Sequence, residues 1–259
     1  MQKQFEELTD TQWHLICDFL PIGRKRKHDL YSVLCAIMWI VRTGCQWRKL
    51  DGKFGLSWQI VYYYFHSWTK LKIISKINDK LVEIERLRQS KNPYPSANAI
   101  DSQSIKIAPM IAEDKGIDGG KKINGRKRHI MTDTLGLIVA VMVLSANVSD
   151  AKGGCLLLKY FLKENKNKAQ SLKCIFADRA YGGAFRKLAN NHNLEVIIAS
   201  KPENAKGFVP VKKRWVVERT FGWFNFFRRL SKDYERSVIN SESVILLAQI
   251  QILLNRIAA

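Results

Sequence analysis

Three carboxylates stand at the edges of apolar segments: Asp101 in Ala99-Ile-Asp-Ser102, Asp178 in Ile175-Phe-Ala-Asp-Arg-Ala-Tyr181, and Glu218 in Arg214-Trp-Val-Val-Glu-Arg-Thr-Phe221. Carboxylate oxygens suit hard divalent cations such as Mg²⁺. In-line displacement at phosphorus puts charge on the attacking and the leaving oxygen, and two ions about 3.5–4 Å apart stabilise both. Holding two ions takes one bridging carboxylate and one more for each metal, so three acids are a minimal set. The expected cofactor is therefore Mg²⁺, as two ions, with Mn²⁺ able to substitute. Each acid also has a plainer reading. Asp101 can cap a turn with Ser102, Asp178 can pair with Arg179 or cap the helix after it, and Glu218 can pair with Arg214 one turn back.

The flanking residues indicate what positions these acids. Asp101 follows Ala97-Asn-Ala-Ile100 and Asp178 follows Cys174-Ile-Phe-Ala177. An acid after a run of strand formers is expected at the strand's carboxyl end, where an open α/β sheet offers a crevice. Glu218 is expected inside a helix from about 214 to about 230 that packs on the sheet. A carboxylate on such a face calls for a cation or a partner. Around these segments the spacing predicts strands at 97–106, 128–132, 137–144, 172–177 and 194–200. It predicts helices at 150–163, 182–191 and 241–257, with loops at 112–125 and 201–213. That is a mixed α/β domain, a central sheet with flanking helices, over residues 96–259.

Before the breaker Lys91-Asn-Pro-Tyr-Pro95, residues 1–92 read as all-helical. Thr9-Asp-Thr-Gln12 is a capping box for a helix carrying Trp13, Ile16, Cys17 and Leu20. Asp29 caps a second helix that stops at Gly44. Ser57 caps a third over 57–70, and a fourth covers 72–89. The third follows a helix and a turn, as the recognition helix of a helix-turn-helix does, and offers Gln59 and Tyr63 to DNA. An amphipathic bundle helix with half-buried tyrosines is the alternative.

The chain has 259 residues, with 43 Lys and Arg against 23 Asp and Glu, a net charge of +20. Residues 1–95 carry +7 and residues 96–259 carry +13, so the excess is not a detachable tail. Such a surface favours a polyanion. Lys121, Lys122, Arg126, Lys127 and Arg128 are expected beside the acids, on phosphate, with Lys212, Lys213, Arg214 and Arg219 on the same rim. Asp133 is assigned to a turn, Asp150 to a helix cap, Glu235 to the surface and His129 to a strand. Trp215 and Trp223 are either core or a stacking platform. Five cysteines without a CxxC spacing argue against a disulfide framework or a zinc site. With no apolar signal region, and with the longest apolar helix expected only around 30–41, the expectation is a cytoplasmic protein without a membrane partner.

Taken together, the motifs resemble those of a DDE transposase of the bacterial insertion-sequence family five, within the four/five superfamily. The matching stretches are Leu8–Trp13, Arg42–Arg48, Ala99–Ser102, Lys121–Gly136, Ala177–Gly182 and Arg214–Trp223. The resemblance implies a ribonuclease-H-like catalytic domain preceded by an N-terminal helical DNA-binding region, with Asp101, Asp178 and Glu218 as the metal triad. It further implies cleavage at the inverted-repeat ends of an element and transfer of the freed 3′-OH into target DNA. The implied partners are double-stranded DNA, both ends and target, and a second copy of the chain in a dimer on DNA. The implied location is the bacterial nucleoid. The family's third motif reads Tyr, two residues, Arg, three residues, Glu, six residues, Lys. Arg214 and Glu218 match it, whereas Val211 and Asn225 stand at the Tyr and Lys positions. Arg228 and Arg229, one turn further on, are candidates to take over the phosphate contact. Two rivals remain: a two-metal nuclease of the same fold without strand transfer, and a transposase-derived DNA-binding protein without catalysis.

Overall fold

The structure, a computed structural model, describes residues 7–21, 27–50, 52–198 and 214–258. Arg24, Val211, Lys212 and Lys213 lie outside the described residues. Helix α1 (Asp10–His14) opens on the expected capping box: Thr9 Oγ1 accepts from Gln12 N, and Gln12 Oε1 accepts from Thr9 N. It is shorter than expected, because a 3-10 turn over Cys17–Phe19 replaces its continuation. Helix α2 (Leu30–Thr43) starts on Asp29, whose carboxylate takes the Tyr31 and Ser32 amides. It ends at Gly44 with φ 72°, and a Cβ there would come within 2.9 Å of Arg228 Cβ. Helices α3 (Trp58–Lys70) and α4 (Ile73–Arg88) complete the helical region.

β1 (Ala97–Lys106) is the middle strand of the sheet. It pairs antiparallel with β3 (Ile123–Asp133) and parallel with β5 (Cys174–Ala177), which pairs parallel with β6 (Glu195–Ile198). On its other edge β3 carries β4 (Ile138–Ser145) and, nearer its start, the short β2 (Gly116–Asp118). The order β4-β3-β1-β5-β6, three antiparallel strands and then two parallel ones, is a ribonuclease-H-like sheet. The sequence carries no signal for β2, since three residues beside glycines leave no period to detect. Helices α5 (Asp150–Glu164), α6 (Lys166–Ser171), α7 (Ala184–Asn190), α8 (Trp215–Phe224) and α9 (Val238–Ile257) flank the sheet. α8 stops at Phe224, short of the expected end near 230, and the chain turns into a 3-10 segment at Arg228–Leu230.

α9 overturns one expectation. At 20 residues it is long and apolar enough by composition to cross a membrane, longer than the apolar run at 30–41. Here it is a core helix, with most of its length buried against α4, β4 and α2. Its polar side chains cover the free edge of β4, where bare backbone groups would otherwise invite another strand. Gln249 accepts from Ile138 N at 2.5 Å and donates to Ile138 O at 3.0 Å, and Glu242 Oε1 accepts from Val143 N at 2.8 Å. Gln12 Nε2 donates to Asn255 on the same helix at 2.9 Å, and Arg86 of α4 pairs with the buried Asp133. The apolar core is thus continuous across the 92–96 boundary that the sequence suggests.

Candidate active site

Strand register brings the first two acids together. Parallel pairing of β1 with β5 runs from Ala97↔Cys174 to Ala99↔Phe176. Asp101 and Asp178 each stand two residues beyond that last pair, on neighbouring strands. β5 ends at Ala177, whereas β1 continues to Lys106. Asp101 is therefore inside its strand, which corrects the expectation that it stands at the strand's end. The crevice opens because β5 stops. The plainer contacts are also present: Ser102 N donates to Asp101 Oδ1 at 2.7 Å, and Ala180 N donates to Asp178 Oδ1 at 2.9 Å.

Glu218 reaches the same place from α8, which packs on β1 and β3. Arg214, one turn back, donates to Glu218 Oε1 at 2.5 Å, and its other terminal nitrogen lies 3.6 Å from Asp178 Oδ2. One guanidinium thus gathers two of the three acids. The third feels all of them. Burial pushes the Asp101 carboxyl up to about 6; the Ser102 amide and Arg214 oppose this, while Asp178 and Glu218 add to it. Among the described residues, no three His, Cys, Asp or Glu side chains are arranged to hold one ion as they stand, because Arg214 is the cation between Asp178 and Glu218. The donor set still fits a hard divalent cation. All three donors are carboxylates, two already gathered by a positive charge and the third destabilised by lack of one.

The opposite face of β1 carries residues that the sequence alone does not group with the site. Ser149, not Asp150, caps α5, so Asp150 is free to accept from Ser102 Oγ at 2.6 Å. Lys127 lies 3.0 Å from Asp150 and 3.5 Å from Asp118. His129 is fully buried beside Asp150, and burial pulls its pKa down to about 4. Both its ring nitrogens lack a hydrogen-bond partner among the described residues. The available signal is the period of two: Ser102 and Ser104 alternate with Asp101, so they face the other side.

The basic residues divide sharply. Lys121 and Lys122 are exposed, at the turn joining β2 to β3. They stand about 25 Å along β3 from Ile130, the partner of Asp101 at ~3.4 Å per residue, and so do not adjoin the acids as expected. Arg126 and Arg128 are buried in β3 and do not face phosphate. Arg126 donates to the carbonyls of Glu235, Glu113 and Arg236 and lies 3.3 Å from Asp233. Arg128 donates to Leu230 O at 3.0 Å, and burial lowers its pKa to about 10. Lys127 is buried between its two carboxylates. Arg229 is buried and paired with Glu235, itself buried rather than on the surface. Arg219 is stacked between Trp215 and Trp223, at 4.5 and 4.9 Å from the ring centres, and donates to Leu135 O. Arg228 is exposed, as are Gln59 and Tyr63 on the outer face of α3.

Known proteins resemble the chain in both halves. The family described as "Putative transposase of IS4/5 family" matches residues 8–78, and the family described as "Transposase DDE domain" matches residues 93–253. A relative from Burkholderia cepacia, "Putative transposase for insertion sequence element IS402", is 33% identical over 117 residues, 43% of this chain and 54% of that protein. The match thus spans about half the length of that relative. Among solved structures, "Crystal structure of a pre-cleavage Mos1 transpososome" is 10% identical with a TM-score of 0.33, covering 91% of this chain and 79% of that one. "Mos1 transposase paired-end complex with left transposon end" is 13% identical with a TM-score of 0.28, covering 67% and 60%.

Proposed function

The chain belongs to the transposase DDE domain family, and from that premise we propose that it cuts DNA at the inverted-repeat ends of an insertion sequence and joins the freed 3′-OH to target DNA. The observation that carries this reading is the convergence of Asp178 and Glu218 on Arg214 beside Asp101, where β5 ends and β1 continues. Asp101, Asp178 and Glu218 would hold divalent ions, Mg²⁺ or Mn²⁺. When bound, a pair of such ions supplies the charge that stabilises the attacking and leaving oxygens of an in-line displacement.

The chain's own residues supply the rest. Asp101 and Asp178 are held on neighbouring strands, so their separation is set by the sheet. Glu218 is carried by the first turn of α8. Arg214 keeps Asp178 and Glu218 together when no other cation is there, and its charge is then free for a DNA phosphate when the carboxylates bind metal. Lys121, Lys122 and Arg228 are the exposed cations suited to the DNA backbone, and Lys212 and Lys213 join them on sequence grounds. Gln59 and Tyr63 offer a polar, aromatic surface on α3 to base edges, with residues 1–92 as the end-binding region. Two ends must meet before joining, which calls for a dimer on DNA in the cytoplasm.

The test is Asp178→Asn in the full chain. The amide keeps the shape and loses the charge an ion needs. Binding to element ends should persist, while Mg²⁺-dependent nicking and strand transfer disappear. Retained nicking removes Asp178 from the triad. Nicking by the parent without strand transfer on paired ends would make the protein a nuclease of this fold.

A further inference from the structure

Tyr181 is the fourth residue after Ala177, at the end of the 3-10 turn that Asp178 caps. Its ring is fully buried under α5, edge-on to Phe185 at 5.4 Å. Gly154 of α5 makes room for it, since a Cβ there would lie 2.6 Å from Tyr181 Cε1. The hydroxyl at the end of this tightly seated ring meets no hydrogen-bond partner among the described residues. A buried, unpaired hydroxyl is costly, and most such groups find a partner. Its surroundings are acidic. Burial first, and then the carboxylates of Asp101, Asp150 and Asp178, raise its pKa well above the usual tyrosine value, with the nearby Ser102 hydroxyl opposing them weakly. That Ser102 hydroxyl is itself directed at Asp150. Asp150 is further engaged by Lys127, and Asp178 by Ala180 and Arg214. Asp101 takes only the Ser102 amide on one oxygen.

We propose that Tyr181 is a positioning residue whose hydroxyl donates to the Asp101 carboxylate once the acids draw together on a divalent cation. The inference rests on the metal-holding reading of Asp101. It explains why an unpaired hydroxyl is kept where Phe would pack equally well. In the metal-free protein the hydroxyl has no partner among the described residues. In the metal-loaded protein it would fix the orientation of a ligand, and loss of such outer partners typically weakens metal binding by about 10–100-fold.

The experiment compares the full-length parent, Tyr181→Phe and Asp101→Asn without DNA. Mn²⁺ affinity is read by electron paramagnetic resonance and thermal melting is followed with and without Mn²⁺. Tyr181→Phe should melt at or above the parent temperature without metal, bind Mn²⁺ about tenfold more weakly, and show a smaller metal-induced rise in melting temperature. Asp101→Asn should lose Mn²⁺ binding. If Tyr181→Phe binds Mn²⁺ like the parent while Asp101→Asn does not, the role of Tyr181 is overturned and the metal reading stands. If Tyr181→Phe melts well below the parent without metal, the hydroxyl is structural, which also overturns it. Parental Mn²⁺ affinity in Asp101→Asn would sink the metal reading of Asp101, and the role of Tyr181 with it.

Discussion

Arg214 donates to Glu218 at 2.5 Å across one turn of α8, and the same guanidinium reaches Asp178 at the end of β5. An i, i+4 pair on an exposed helix is worth only a few tenths of a kcal/mol. This one has a second effect, because it draws a helix carboxylate and a sheet carboxylate to one point beside Asp101. It is a positive charge where the proposed function requires one.

Replacing Arg214 by Gln should therefore lower the melting temperature of the metal-free protein, as Asp178 and Glu218 are left to repel each other. The same variant should gain more from saturating Mn²⁺ than the parent does, since no resident cation has to give way. Melting curves with and without Mn²⁺ check both. An equal metal-induced rise in the two proteins would mean that Arg214 does not compete with the ion.

The buried and exposed cations should behave as two classes. Arg126→Ala leaves Asp233 and three carbonyls without their partner, and breaking a buried pair this way costs about 3–5 kcal/mol. Neutralising Lys121 and Lys122 should leave stability within about 0.5 kcal/mol. It should flatten the slope of log K against log[salt] by about 0.9 for each duplex phosphate that is no longer neutralised. Denaturant titration and salt-dependent binding on one duplex separate the two.

Gln59→Ala with Tyr63→Ala, made in the full chain because α4 and α2 pack on α9, should reduce the preference for element ends over random DNA. The salt slope should stay unchanged, since base contacts specify and phosphate contacts position. A competition assay at fixed salt reads the preference. If it is unaltered, α3 is a bundle helix and end recognition lies elsewhere.

Burial pushes the carboxyl of Glu242 up to about 7, against the Val143 amide that it accepts from. Its folded pKa lies above the ordinary value of 4.5, so between about pH 4.5 and 7 the folded state binds more protons than the unfolded one. Stability from this group therefore falls as pH rises through that window. Glu242→Gln keeps an acceptor for Val143 N without the charge. The variant should melt higher than the parent at pH 8 and should converge with it near pH 5. A constant offset at both pH values would count against a titrating Glu242.

Much of this protein is legible in its residues, where the signal is local. The Thr9 capping box, the Asp29 cap, the Gly44 terminus and the strand run before Asp178 depend on neighbours a few residues away, and they stand in the structure as read. The three acids are legible because a carboxylate among apolar residues is anomalous in any context. Tertiary structure decided what depends on distant partners. A run of cations in a strand alternates identically whether its faces are open or covered. Arg126 and Arg128 are buried because residues 230–236, about a hundred positions later, lie across them and offer carbonyls. Glu235 is buried for the same reason, since it meets Arg229 there. Asp101 sits at a crevice because β5 is shorter than β1, a mismatch between strands far apart in the chain. The composition of α9 allowed a membrane span. Only its packing against α4 and β4, with Gln249 and Glu242 turned to a strand edge, makes it the core of this fold. Periodicity tells each segment which face is apolar, but what comes to cover that face is set by the chain's topology.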